Sequence, residues 1–280
     1  WKKPKSTAFL KVSWILWDPE CMPRLFVPPE CIGPSHITID DPRALHHLTT
    51  VLRLRAGDWV ECVDGIGHRY AGPITQWTPR ALTVEIQERR DDPPPTLRLI
   101  LAQALIRPER FDWVIEKATE LGVERVVPLV TARTVSQPPH ERLAHKVSRW
   151  QRIAQEAAQQ CGRATRPQID PPQALVQALP MLSATARVIL PTLTVRAVSL
   201  REVLRDHPPH GAVAVLIGPE GDLTPQEVTE AQGAGAQAVS LGVLTLRSET
   251  AALAALVLLQ HVAAKPERDC GEAGHAGGGV

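Results

Sequence analysis

Two patterns of apolar and polar positions divide the chain. Before position 90, short alternating or β-branched runs at 24–27, 36–39, 59–63, 70–77 and 82–86 are separated by Pro and Gly. Alternation gives a strand one buried and one wet face, so several such runs with turns between them predict a small β-barrel. Within it, Asp41-Pro42 offers a cap and a first helical residue, and Leu45, Leu48 and Leu52 recur at helical spacing. One helix is expected from 42 to about 52.

After Thr96 the pattern changes to strand-like runs alternating with helix-like ones, which predicts a mainly parallel sheet covered on both faces. The expected strands are 97–104, 125–130, 187–190, 212–217 and 238–241. Phe111, Val114, Ile115, Ala118 and Leu121 mark one apolar helical face, with Gly122 where a C-terminal cap belongs. A longer helix over 141–160 buries Leu143, Val147, Trp150, Ala154 and Ala157. The Asp91-Asp-Pro-Pro-Pro95 run reads as a stiff linker.

Composition narrows the class without choosing a partner. Hydrophobic residues make up 44% and charged residues 22% of 280 positions, as in a soluble globular protein. The net charge of +1 announces no global basic field, so contact with a nucleic acid must come from a local patch. Cys21, Cys31, Cys62, Cys161 and Cys270 lack metal-ligand spacing, which points to a reduced, cytoplasmic protein without structural metal. No run approaches the roughly 20 apolar residues of a spanning helix, so no membrane role is expected.

Two short stretches concentrate the chemistry. Thr224-Pro225-Gln226-Glu227 is a helix start with a capping residue and Glu at the third position. Residues 218–223 must then form the loop between the strand at 212–217 and that helix. Glycines at 218 and 221 allow close approach of a ligand, although the same residues also suit a plain tight turn. A second loop, 242–247, follows the next strand and precedes the helix bearing Ala251, Leu253, Ala254 and Leu258. Ligands of open α/β sheets sit at such strand ends, and neighbouring loops can line one crevice. Arg247 and Glu249 are either polar partners of that ligand or an exposed guanidinium and a first-turn carboxylate.

Ile217-Gly-Pro-Glu-Gly221, Leu241-Gly242, Leu246-Arg247 and Glu249-Thr-Ala251 together resemble the signature of the RsmE family, uridine-N3 methyltransferases of ribosomal RNA in the SPOUT superfamily. Met22-Pro-Arg-Leu-Phe-Val-Pro28 resembles the family's opening. His46-His-Leu48, Val51-Leu-Arg-Leu54, Gly57-Asp58 and Asp64-Gly65 are similar to its PUA-like domain. Lys117-Ala-Thr-Glu-Leu-Gly-Val123, Arg133-Thr134, Trp150, Glu156-Ala157, Gln160 and Arg163 are similar to its central segments.

The resemblance implies a trefoil-knotted α/β domain at 96–265, a PUA-like RNA-binding β-barrel at 22–90 and a linker at 91–95. Residues 1–21 and 266–280 are expected to be a disordered or artefactual extension and a disordered tail. It further implies S-adenosyl-L-methionine as cofactor, a homodimer, and small-subunit 16S ribosomal RNA or the 30S particle as substrate. The cofactor contacts carried over are Leu190, Ile217, Gly218, Pro219, Glu220, Gly221, Leu241, Gly242, Leu246 and Arg247.

Methyl transfer to N3 of uridine needs the imide proton to leave and negative charge on the uracil to be stabilised. Arg247 is expected to serve a uracil oxygen, and Glu249 to orient it or accept a proton. Arg24, His46, His47, Arg53, Arg133 and Arg163 are the expected RNA contacts. The chain departs from the family at Asp222-Leu223, where Gly-Phe is usual, at Leu244-Thr245, where Arg-Ile is usual, and at Ser248, where Thr is usual. These departures leave open a noncatalytic RNA-binding or assembly factor, and because cofactor loops do not encode the substrate, the same chemistry on another RNA is also open.

Overall fold

The computed structural model describes residues 22–135, 139–193 and 197–263. The extension expected at 1–21 and the tail expected at 266–280 lie outside the described residues. Contacts divide the chain into two compact units. One ends at Asp64 and includes His68–Asp91; the other comprises Gly65–Gly67 and the chain from Asp92 onward.

The first unit is a small sheet structure of β1 (Arg24–Phe26), β2 (His36–Ile39), β3 (Trp59–Val63), β4 (His68–Trp77), β5 (Leu82–Glu85) and β6 (Glu88–Asp91). The strands run in the order β1-β3-β4-β5-β2, with β6 also on β4, and only β1 and β3 are parallel. Alternate residues point inward, so Leu25, Ile37, Ile39, Val60, Cys62, Ile74, Leu82 and Val84 form its core. Burial pushes the Cys62 thiol up to about 12.

Two expectations are corrected in this unit. The helix predicted through Leu52 is α1 (Pro42–His46), capped by Asp41, followed by a π-helical turn over His47–Val51. Thr49 and Thr50 are β-branched, and Thr49 Oγ1 donates to the His46 carbonyl, competing with the regular ladder. The wider turn rotates the following residues, so Leu45 and Leu48 stay buried while Leu52 is exposed. Asp91, expected to open the linker, instead closes β6 opposite His68. The Glu88-Arg-Arg-Asp91 run has no apolar alternation because it forms a charged edge strand.

The second unit is an entirely parallel sheet. Its elements are β7 (Leu97–Ala104), α2 (Pro108–Glu120), β8 (Val123–Val130), α3 (Leu143–Cys161), β9 (Gln168–Ile169), β10 (Gln173–Ala174) and α4 (Leu175–Thr185). They continue with β11 (Arg187–Pro191), β12 (Val198–Ser199), α5 (Leu200–Asp206), β13 (Gly211–Ile217), α6 (Pro225–Gly233), β14 (Gln237–Ser240) and α7 (Ser248–Ala263). The order is β10-β8-β7-β13-β11-β14-β12, with β9 also on β8.

Strand alternation sorts the core into two layers. Leu99, Leu101, Val213 and Val215 pack with α2, α3, α5 and α7, whereas Ile100, Ala102, Ala214 and Leu216 pack with α4 and α6. The pattern for α4 had been hidden by Pro180, which reads as a helix stop. Pro180 and Val176 are both exposed, so water can satisfy the carbonyl that the proline leaves without an intrahelical donor. Because β11 lies between β13 and β14, the carboxyl ends of three strands come together.

Candidate active site

The first loop leaves β13 at Ile217 and is closed by the cap of α6. Thr224 Oγ1 accepts from Glu227 N at 3.2 Å, and the Glu227 carboxylate accepts from Thr224 N at 2.8 Å. Glu227 Oε1 also accepts from Ala132 N at 2.8 Å, tying the cap to the segment after β8. Within the loop, Asp222 N donates to Pro219 O at 3.0 Å, a tight turn that brings the chain back over Gly218. A Cβ on Gly218 would lie 3.0 Å from both Leu223 N and Asp222 Oδ1, so only glycine fits without displacing backbone.

Asp222 braces that turn. Its φ of +59° lies in the left-handed region, which Asp tolerates better than most residues. Asp222 Oδ1 accepts from Leu223 N at 2.8 Å, while Oδ2 accepts from Thr192 Oγ1 and Leu193 N at 3.2 Å each. The departure at 222 thus fastens the glycine loop to the end of β11.

The second loop begins at Gly242, whose φ of +135° is outside the ordinary range of L-residues. It ends at Ser248, the first residue of α7, and Ser248 joins the two loops. Its hydroxyl donates to Gly218 O at 2.6 Å and accepts from Gln103 Nε2 at 2.9 Å. Gln103 is fully buried in β7, and its Nε2 also donates to Ala104 O at 3.0 Å. Three elements distant in sequence are therefore locked by one buried chain of hydrogen bonds.

Around that lock lies a cavity of about 110 Å³. The predicted residues Ile217, Gly218, Pro219, Glu220, Leu241, Gly242 and Leu246 line it. So do Pro191, Thr192, Leu193, Asp222, Leu244, Thr245, Ser248 and Ala251, which the sequence had not assigned to a ligand. Leu190 is placed differently: its side chain is wholly buried in the core with Val188 and Leu216, and its neighbours Pro191 and Thr192 reach the cavity. Gly221 faces Arg133, which donates to its carbonyl at 2.7 Å.

Arg247 and Glu249 stand outside the lining. Arg247 is exposed at the start of α7. Glu249 is mostly buried, with Oε1 3.4 Å from Arg110 NH1 and Oε2 without a hydrogen-bond partner. Glu220 Oε1 accepts from Arg107 N at 3.3 Å, where α2 begins.

The residues expected to meet RNA separate into two groups. His46 and Arg53 are exposed and His47 is half-buried, Arg53 with a φ of +56°. Arg133 is exposed against the glycine loop. Arg24 instead pairs, with Arg69, to the buried carboxylate of Glu61. Arg163 turns inward, donating to Thr119 O at 2.8 Å and Val123 O at 2.9 Å, and burial lowers its pKa. For these two, backbone carbonyls and a buried carboxylate claim the guanidinium in place of solvent, a pairing not visible in sequence spacing.

Likeness to known families defines the class, an RNA methyltransferase domain preceded by a PUA domain. The family described as RNA methyltransferase domain matches residues 93–260, and that described as RNA methyltransferase PUA domain matches residues 39–87. Ribosomal RNA small subunit methyltransferase E of Synechocystis is 32% identical over 236 residues, covering 83% of this chain and 75% of that protein. The Mycobacterium bovis protein of the same name is 31% identical, over 75% of this chain and 80% of its own. The crystal structure of the Neisseria gonorrhoeae enzyme of that name, bound to S-adenosyl methionine, matches with a TM-score of 0.77 and 31% identity, covering 86% of this chain and 98% of that one. A Legionella pneumophila methyltransferase in complex with bound cofactor SAM matches with a TM-score of 0.75 and 30% identity, over 86% and 97%. This chain belongs to the RsmE family.

Proposed function

We propose that the chain transfers a methyl group from S-adenosyl-L-methionine to N3 of a uridine in 16S ribosomal RNA of the small subunit. The observation that carries this reading is the Gln103–Ser248–Gly218 chain, which holds two glycine loops open around one cavity at the ends of neighbouring strands. The lining fits the cofactor in kind. Ile217, Leu241, Leu246 and Ala251 are apolar, while Gly218 and Gly242 bring backbone amides and carbonyls to the wall. When bound, the cofactor supplies an electrophilic methyl group on a sulfonium.

The chain's own residues position and neutralise. Arg247, exposed beside the lined cavity, is the cation offered to the uracil oxygen that gains charge as the imide proton departs. Glu249, set behind the lining, holds Arg110 and so acts through it rather than on the substrate. Leu244 lines the cavity yet is largely exposed, an apolar lip at a position where the family resemblance implies Arg.

The same reading includes the family's knotted threading, a cytoplasmic location and a homodimer. Val257, Leu258 and Val262 on α7 are exposed apolar residues, which supports a second subunit against that helix. No helix among the described residues is long and apolar enough to cross a membrane. The noncatalytic alternative is disfavoured because Asp222 braces the glycine loop rather than disrupting it. Calorimetry with S-adenosylmethionine, followed by transfer of its labelled methyl to small ribosomal subunits lacking the modification, tests the reading. Binding without transfer to any RNA would overturn it.

A further inference from the structure

On the second unit, away from the cavity, a groove of about 390 Å³ runs between α3 and the segment joining β7 to α2. Its floor is apolar and closed, made by Leu105, Ile106, Phe111 and Trp150. Its wall is basic: Arg142, His145, Lys146 and Arg149 line it, and intervals of three and four residues place them on one stripe of α3 and the turn that starts it. Asp112 packs against the far end of this stripe and is already engaged. Asp112 accepts from Arg149 Nε and NH2 at 3.0 and 2.7 Å and from Trp150 Nε1 at 3.0 Å. Lys146 Nζ lies 5.8 Å from the Trp150 ring centroid, a cation–π contact that holds the ammonium itself over the apolar floor.

The groove is connected to the proposed catalytic loops by backbone. Ile106 and Pro108 line it, and Arg107 between them donates its N–H to Glu220 of the glycine loop. Arg107 is itself exposed, so a further cation stands where this segment meets Glu220 of the glycine loop. The buried aromatic floor has no open ring face for base stacking. The chemistry therefore suits a ribose-phosphate backbone, read as spaced negative charge, rather than a nucleobase.

We infer that this groove is a binding track for the phosphodiester backbone of the RNA strand flanking the methylated nucleotide, with Arg142 and Lys146 as its principal phosphate contacts. The inference rests on the proposed function. It assigns the substrate's path across a surface whose residues touch neither of the glycine loops.

The test uses the full chain and a fluorescent single-stranded RNA cut from the small-subunit sequence, with anisotropy read over a salt series. Arg142→Glu/Lys146→Glu should weaken RNA binding about tenfold or more at low salt. Arg142→Gln/Lys146→Gln, which removes the charge with less risk to folding, should lower the slope of log affinity against log salt by about 1.4, the value for two phosphate contacts on a single strand. Cofactor affinity, measured by calorimetry, should stay within about twofold. RNA affinity and slope equal to wild type in the glutamine variant would overturn the groove while leaving the methyltransferase reading standing. Wild-type protein that binds cofactor but neither binds nor methylates RNA would overturn both. Loss of binding to polyglutamate in the variants, with RNA binding unchanged, would assign the groove to an acidic protein and likewise overturn the proposal.

Discussion

Ser248→Ala is the most informative single change, because it deletes one oxygen atom on which both loops depend. The hydroxyl donates to Gly218 O and accepts from Gln103 Nε2, and all three residues are buried. Its loss leaves a carbonyl and one amide hydrogen unpaired away from water, while the other Gln103 hydrogen keeps Ala104 O. Each buried orphan costs roughly 1–3 kcal/mol, so a net loss of about 2–3 kcal/mol is expected after local relaxation. For a domain of this size that corresponds to a Tm lower by about 4–12 °C in calorimetry. If the released glycine loop holds its binding geometry only one-tenth of the time, the apparent Kd for S-adenosylmethionine rises about tenfold. Ser248→Thr retains the hydroxyl and should stay near wild type in both measurements. A Ser248→Ala protein with unchanged Tm and cofactor Kd would refute the idea that this bridge organises the site.

Other expectations test the remaining assignments. Asp222→Ala removes the acceptors of Leu223 N, Thr192 Oγ1 and Leu193 N; cofactor affinity should fall severalfold, whereas Asp222→Gly, which relieves the positive φ, should fall less. Arg163→Ala removes a charged donor from the Val123 and Thr119 carbonyls, the latter keeping Gly122 N, and should cost about 1–2 kcal/mol in urea unfolding, with RNA affinity unchanged per folded molecule. Arg247→Ala should keep the Tm within about 2 °C and reduce methylation at least a hundredfold; full activity would remove Arg247 from the mechanism. Thiol alkylation at pH 8 with peptide mapping should label exposed Cys161 and spare Cys62, whose thiolate burial disfavours, until the first unit is unfolded. The His68–Asp91 hydrogen bond holds the Asp91 carboxyl below its ordinary value, so its contribution is present above that value and is lost as pH falls through the lowered one. Asp91→Asn should therefore flatten the acid limb of the barrel's stability curve.

Much of the architecture was written in the periodicity, for a physical reason. Strands buried on both faces read as apolar runs, as residues 99–102 of β7 and most of β13 do, and the capping box at Thr224 marks a helix start by local chemistry alone. The elements that escaped notice are those whose signals are cancelled locally: α4 by an exposed proline, β6 by its charged edge position and β12 by its two-residue length. In the site, glycines 218 and 242 were legible because backbone constraints act within a few residues. Gln103 and Ser248 were not, since a fully buried amide and a helix-start serine carry no mark of the 145 positions that separate them. Arg24 and Arg163 show the converse: a cation in the sequence is silent about whether phosphate, carboxylate or backbone will claim it.

The central claim is tested most directly by mass spectrometry of the RNA product. Small ribosomal subunits lacking the modification are incubated with this chain and labelled S-adenosylmethionine, digested with nuclease and fragmented to locate the methyl group. The account predicts one label at N3 of a single uridine in the small-subunit RNA, abolished in Arg247→Ala protein that still binds cofactor. Unlabelled RNA in the presence of demonstrably bound cofactor, or a label on another atom, would contradict it.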